Sequence, residues 1–263
     1  MRFLFLSFLL VLTSPSLFAY SVAPSAQRLS GETAHQAYLR NLSFYLTSGM
    51  SLEIGEPTKN AYGSQTSLED LILKEVPELE SLEMLMQEFV YIRDTRFIVD
   101  EHLPFPRRLS WLYPDDGCFV RADLAGRFAQ EASYKKPAKL FAFGDLRVQT
   151  NNSINGQVEW WYHVVIAYKV QGQLYVIDPS IEPLRPLTAR EWGDRMGGTS
   201  KVSFALCDGD TYQPYNNCGN PTQNTKELLT DTQMTYLDFE WERLEELDRN
   251  PNEELGDLPP WKK

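Results

Sequence analysis

The sequence has few residues of the types that most often bind metal ions: three cysteines and three histidines in 263 residues. His35, His102 and His163 lie far apart, and none stands at the short spacing to a second ligand that zinc sites use. The sequence also lacks a glycine-rich loop that cradles phosphates and a dinucleotide-binding fingerprint. We therefore predict no metal site and no cofactor.

Basic residues are scarce as well. The chain has 25 Lys and Arg against 36 Asp and Glu, which gives a formal net charge of -11. Nucleic-acid binding depends on Lys and Arg that displace counterions from phosphates, so this charge excludes nucleic acid as a partner. The acidity favours solubility instead.

Long apolar runs are missing except at the start of the chain. Met1 and Arg2 precede the run FLFLSFLLVL, and a helix-breaking TSPS segment and the small residue Ala19 follow it. The run is shorter than the ~20 residues that span a bilayer, whereas its flanks are typical of a signal peptide. We expect residues 1–19 to be cleaved off and the protein to be secreted or periplasmic, without stable membrane association.

The cysteines divide into a pair and a single residue. Exported proteins meet an oxidising environment, and Cys207 and Cys218 lie close together in a stretch rich in Gly, Asn, Asp and Pro. We expect a disulfide between them. Cys118 is then the odd thiol, which calls for an intermolecular bond or a chemical use.

The chain divides into an N-terminal arm, one main domain and a tail. Residues 20–66 are polar and broken by Gly and Pro, with one helical pattern in TAHQAYLRNLSFYL, and we interpret them as a pro-segment or flexible arm. Residues 67–250 form the main domain, and residues 251–263 are predicted to be a tail.

Helical patterns dominate the first half of the main domain and strand patterns the second. Apolar residues recur at helical spacing from Leu79 to Phe89, a helix is predicted to begin near Cys118, and another is predicted from Thr230 to Leu247. The runs KLFAFGDLRV, VEWWYHVVIAYKV and LYVIDPSI are typical of strands. This order indicates an α+β fold in which helices pack on an antiparallel sheet.

Cys118 stands where a nucleophile can be activated. A thiol attacks as thiolate, and a helix N-terminus or a nearby imidazolium lowers its pKa. Gly117 before it permits close approach of the backbone to a substrate, and the unpaired N–H groups of a first helical turn can stabilise an oxyanion.

His163 and Asp178 are predicted to be neighbours. If the hairpin HVVIAYKVQGQLYVIDP turns at Gln171 and Gly172, Asp178 faces Val165 and projects from the same side as His163, within hydrogen-bonding reach. A loop one residue longer or shorter would reverse this facing. The carboxylate would fix the ring tautomer and stabilise the imidazolium.

Each of the three residues also has a plain structural interpretation. Cys118 alone fits a small buried hydrophobe, His163 a core residue and Asp178 the start of an Asp-Pro turn. Together they supply a nucleophile, a base and an orienting acid in an order that one fold can assemble. We therefore favour a catalytic triad.

Four separated blocks resemble the bacterial protein-glutaminases, secreted enzymes that convert protein-bound glutamine to glutamate. The similarity covers roughly residues 76–196. The family's nucleophile block is carried by Tyr113, Pro114, Asp116, Gly117 and Cys118, its base by Tyr162-His163, and its acid by Asp178-Pro179-Ser180.

The resemblance implies a fold related to transglutaminases and papain-like proteases, and deamidation of accessible glutamines in proteins or peptides through a Cys118 thioester. Trp160, Trp161 and Tyr162 are candidates for a trough that holds the glutamine methylenes. Two alternatives stay open at this point: acyl transfer to amines, as in a transglutaminase, and a non-catalytic binding module of the same fold.

Overall fold

The computed structural model describes residues 24–48 and 54–263, so the predicted signal peptide lies outside the described residues. Within them, the strands β1 to β6 form one sheet. Their bounds are Glu78–Leu79, Ala138–Gln149, Gln157–Val170, Gln173–Ile177, Leu187–Thr188 and Ser203–Cys207. The order is β5-β4-β3-β2-β6 with antiparallel neighbours, and the short β1 adds to β3 in parallel.

Helices flank this sheet, as the α+β prediction requires. The helices α1 to α6 span Ala34–Ser48, Leu82–Asp94, Cys118–Glu131, Ala189–Arg195, Lys226–Glu246 and Pro251–Glu254. The α3 helix packs on β3, and its Val120, Leu124 and Phe128 side chains are buried in the core. No helix in residues 24–48 or 54–263 is long and apolar enough to cross a membrane.

Local hydrogen bonds explain where several helices begin. The Thr188 hydroxyl and the Glu191 carboxylate form a capping box at α4. The α5 helix begins four residues before its predicted start, because the Thr225 hydroxyl accepts a hydrogen bond from the Leu228 N–H.

Ser67 and Asp70 have the spacing of a helix-capping pair, but they do not start a long helix. The Ser67 hydroxyl donates to the Asp70 carboxylate at 2.6 Å, so it satisfies no backbone N–H. Only short 3₁₀ turns form here, at Leu68–Asp70 and Leu73–Glu75.

Both ends of the described chain pack onto the main body. The residues before α1 bridge to β3 at Trp160 through Gln27. At the other end, the Arg108 guanidinium donates to the carbonyls of Leu255 and Gly256, each at 2.9 Å. The segment predicted to be a tail therefore contacts the body, although sequence composition gave no sign of a partner for it.

The predicted disulfide is present. Cys207 at the end of β6 is bonded to Cys218, and Cys118 is the free cysteine. The bond closes the loop that follows β6, a segment with little regular structure of its own.

Candidate active site

The β3–β4 hairpin has the predicted register. Val170 pairs with Gln173 and Ile166 with Ile177. Gln171 and Gly172 make the turn with φ values of 51° and 76°, the left-handed conformations that a two-residue hairpin turn of this kind needs. Asp178 follows directly after the last paired residue of β4.

This register joins His163 and Asp178. The His163 Nε2 lies 2.8 Å from the Asp178 Oδ2, and the two residues are 1% and 4% exposed. A pair so well excluded from water interacts strongly, because little solvent screens it.

Two side chains that sequence reasoning missed complete the surroundings of Asp178. The Trp192 indole N–H donates to its Oδ2 at 2.9 Å, and the Ser180 hydroxyl and N–H donate to its Oδ1 at 2.5 and 3.2 Å. Burial alone would raise the pKa of Asp178, but the charge and hydrogen bond of His163, aided by Ser180 and Trp192, lower it to about 2. The group is therefore a carboxylate at neutral pH.

The imidazole is also held by stacking. The Trp160 ring lies parallel to the His163 ring, with centroids 4.4 Å apart and an interplanar angle of 8°. The Trp160 indole N–H donates to the Asp115 carbonyl at 2.9 Å. Trp160 thus fixes the ring of His163 and is itself fixed, which differs from the substrate contact predicted for it.

Cys118 is the first residue of α3, as predicted, and Gly117 is the residue that caps the helix. Gly117 has φ 77°, and a Cβ there would meet the Tyr236 ring at 2.8 Å. The backbone conformation of residue 117 and the packing of Tyr236 therefore both favour glycine here.

The thiol of Cys118 is buried, with 2% exposure. Burial raises its pKa to about 12, although Arg121 and the Val164 N–H oppose the shift. The expected lowering by the helix terminus is outweighed in this conformation, because the thiolate would have lost its hydration. Cys118 is accordingly a thiol at neutral pH.

The free nitrogen of His163 is the one available to Cys118. Because Asp178 occupies Nε2, Nδ1 remains, and it is buried without a hydrogen-bond partner within the described part of the chain. Cys118, His163 and Asp178 line one small internal cavity, so the structure brings the three predicted residues together.

The residues before α1 bond to residues that lie close in sequence to Cys118 and His163. The Ala26 N–H donates to the Asp116 Oδ1 at 3.2 Å, and the Gln27 amide donates to the Asp115 Oδ1 at 2.9 Å. The Trp161 N–H and indole N–H donate to the carbonyls of Ala26 and Ser25.

The predicted aromatic trough is not open in this conformation. Trp160, Trp161 and Tyr162 are 0%, 1% and 3% exposed. Trp161 packs against Tyr38 of α1, with ring centroids 5.8 Å apart.

Comparison with known proteins confirms the resemblance seen in the sequence. Residues 85–196, which contain Cys118, His163 and Asp178, match the family model described as glutaminase. A search of the curated proteins found no match.

Solved structures of protein-glutaminases are similar to this chain. The NMR structure of protein-glutaminase from Chryseobacterium proteolyticum is 23% identical, with 70% of this chain and 92% of that chain covered and a TM-score of 0.48. A crystal structure of pro-protein-glutaminase is 21% identical, with 78% and 67% covered and a TM-score of 0.48. A mutant of that protein is 22% identical with a TM-score of 0.47; 73% of this chain is covered, and the chain spans 63% of the mutant's length.

Proposed function

We propose that this protein hydrolyses the side-chain amide of glutamine in proteins or peptides, giving glutamate and ammonia. Cys118 is the proposed nucleophile, His163 the acid and base, and Asp178 the residue that orients His163. The observation that carries the proposal is the buried 2.8 Å bond between His163 and Asp178, in a segment that matches a glutaminase family.

The first half-reaction makes a thioester. The Cys118 Sγ–H proton passes to the Nδ1 of His163, and the sulfur bonds to the carbon of the glutamine carboxamide. The carbonyl oxygen takes the negative charge, and the Cys118 backbone N–H is its proposed donor. His163 returns the proton to the amide nitrogen, the C–N bond breaks and ammonia leaves.

The second half-reaction consumes water. His163 removes a proton from a water molecule whose oxygen bonds to the thioester carbon. The C–S bond then breaks, the glutamate carboxyl is formed and the sulfur recovers a proton from His163. Throughout, the Asp178 carboxylate stabilises the imidazolium, a role that its low pKa supports.

The closed site supports a role for the N-terminal arm. We infer that residues 20–66 include a pro-segment, because Ser25, Ala26 and Gln27 bond to residues beside Cys118 and Trp160. Its displacement would admit substrate and solvent, and the same step would remove the main cause of the raised thiol pKa. Trp161 and Tyr162 would then be available to the glutamine methylenes.

Export is part of the same proposal. The predicted signal peptide over residues 1–19 would carry the chain out of the cytoplasm. In the oxidising environment outside it, the bond between Cys207 and Cys218 persists. Protein substrates with accessible glutamines would be met in the periplasm or outside the cell.

The test is ammonia release from casein and from a blocked glutamine peptide. The chain from residue 20 onward is compared with its Cys118→Ala variant, each before and after limited proteolysis of the N-terminal arm. We expect ammonia from the cleaved wild type and none from the variant. If cleaved, folded wild type releases no ammonia, the proposal is overturned. Protein cross-links in place of glutamate would favour acyl transfer to amines.

A further inference from the structure

Arg121 is a buried cation close to the candidate nucleophile. It lies three residues after Cys118 on α3, so the two side chains share one helix face, and it is 2% exposed. Arg121 also lines the small cavity that Cys118, His163 and Asp178 line. It is therefore a neighbour of the candidate triad.

The guanidinium holds the loop that leads into α3. Its Nη1 donates to the carbonyls of Asp116 at 2.7 Å and Tyr113 at 3.0 Å, with longer contacts to Ser110 at 3.4 and 3.5 Å. These acceptors lie between residues 110 and 116, immediately before Gly117 and Cys118. A single planar group thus sets the position of the segment from which the nucleophile projects.

The charge of Arg121 has no carboxylate partner among the residues described. Two other buried cations have a carboxylate partner, since Arg107 lies 2.8 Å from the Glu240 carboxylate and Lys139 contacts that of Asp123. Arg121 contacts the main-chain carbonyl of Asp116 instead, and its Nη2 is buried without a partner. An unpaired buried charge destabilises a fold, so a compensating anion is expected to form nearby.

The anion that this site can form is the Cys118 thiolate. The charged and titratable groups that act on the sulfur or its immediate neighbours are Arg121 on the same helix, Asp116 before it, Tyr162 and His163 on β3, Asp178 after β4 and Tyr236 on α5. Asp116 and Asp178 oppose the thiolate, whereas Arg121 favours it. Its positive charge is permanent, unlike that of His163.

We propose that Arg121 is a positioning residue for Cys118. The buried guanidinium of Arg121 fixes the loop over residues 110–116 and supplies the permanent positive charge beside the sulfur of Cys118. This role rests on the proposed function. When the thiol proton moves to the Nδ1 of His163, the resulting sulfur anion lies beside the unpaired guanidinium. The proton transfer leaves the net charge of the site unchanged, because an imidazolium forms together with the thiolate, but it places an anion where the charge of Arg121 favours one.

The experiment measures the rate at which iodoacetamide alkylates Cys118, the only thiol in the disulfide-bonded chain, with the site of labelling checked by mass spectrometry. Arg121→Gln and Arg121→Lys both remove the forked guanidinium, but only the second keeps a positive charge. The ratio of their alkylation rates therefore separates the effect of the charge from a change in the access of iodoacetamide to the sulfur. Arg127→Gln, on the same helix and farther from Cys118, is the matched control.

We expect the Gln variant to react about tenfold more slowly than the Lys variant between pH 7 and 9, because a nearby charge changes a thiol pKa by at least about one unit. Arg127→Gln should react like wild type. Equal rates in the two Arg121 variants, or a faster Gln variant, would overturn the proposal. If Arg121→Gln does not fold, Arg121→Met gives the same comparison. If neither variant folds, Arg121→Lys is compared with wild type. Alkylation of Arg121→Lys about tenfold slower than that of wild type, although the charge is kept, would then overturn the proposal.

Turnover gives the second readout. Ammonia release by Arg121→Lys should show a lower kcat than wild type at saturating peptide, since one ammonium cannot hold the whole loop. A kcat equal to that of wild type would remove the positioning role. Alkylation needs no substrate, so an inactive wild type with the expected alkylation ratio would contradict the proposed function and leave the role of Arg121 intact.

Discussion

Two buried carboxyl groups of this protein behave in opposite ways. Asp178, beside His163, accepts hydrogen bonds from His163, Ser180 and Trp192, and its pKa is lowered to about 2. Glu88, on α2, is 0% exposed and accepts none within the described ranges, and burial raises its pKa to about 7 although the nearby Tyr168 hydroxyl opposes the shift.

The contrast shows that the donors around a carboxyl group, rather than its depth, determine its charge. At Glu88 the raised pKa leaves the acid partly protonated at neutral pH, and the side chain acts as a packing group. At Asp178 the fold directs a tryptophan, a serine and a histidine at one carboxylate so that the charge persists. Such an arrangement is expected where an imidazolium has to be stabilised, and it supports the proposal that the reaction takes place at this end of the sheet.

Neutralising Asp178 should have the largest effect. In Asp178→Asn the amide no longer stabilises the imidazolium, and we expect kcat for ammonia release to fall by about 10² to 10⁴. The matched control is Glu88→Gln, which makes the same chemical change at the other buried acid and should leave kcat within about twofold. Similar losses in both variants would erase the distinction between the two carboxyl groups.

The stability of Glu88→Gln should depend on pH in a defined direction. The folded-state pKa of Glu88 is above its unfolded value, so the wild type has its full stability from this group at low pH and loses it as pH rises from about 4.5 through 7. We expect the variant to match wild type near pH 4 and to exceed it by on the order of 2 kcal/mol near pH 8. Urea unfolding at the two pH values measures this, and a variant that is weaker near pH 8 would show that Glu88 is charged and paired.

Removing one donor to Asp178 should have the smallest effect. Trp192→Phe deletes the indole N–H that bonds to the Oδ2 and keeps most of the ring packing, so we expect a loss of about 3- to 10-fold in kcat/KM. Trp261→Phe is the control, because its indole N–H bonds to Asp94, away from the site. If the two variants lose the same activity, the donor set around Asp178 does not matter for catalysis.

The sequence predicted the parts of the site that depend on local rules. The turn at Gln171 and Gly172 determines the β3–β4 register, and that register brings Asp178 to His163. The start of α3 at Cys118 follows from the preceding glycine and from the apolar pattern that follows.

The parts that depend on distant contacts were not predictable. Trp192 reaches Asp178 from α4. Trp160 stacks on His163 although the two residues are three positions apart on β3, and regular alternation along a strand would place them on opposite faces. The raised thiol pKa depends on burial of Cys118, which only the assembled fold creates. The contact of Asp178 with Ser180 is local, because an aspartate side chain commonly accepts a hydrogen bond from the backbone N–H two residues on.

The most direct test of the account is to follow a glutamine peptide by mass spectrometry in water enriched in ¹⁸O, with cleaved wild type and with Cys118→Ala. Hydrolysis through a thioester replaces the amide nitrogen with an oxygen from solvent, so we expect a gain of about 3 Da in place of about 1 Da in ordinary water, from wild type only. An unchanged peptide mass with wild type, or the same gain with the variant, would contradict a Cys118-dependent glutamine hydrolase.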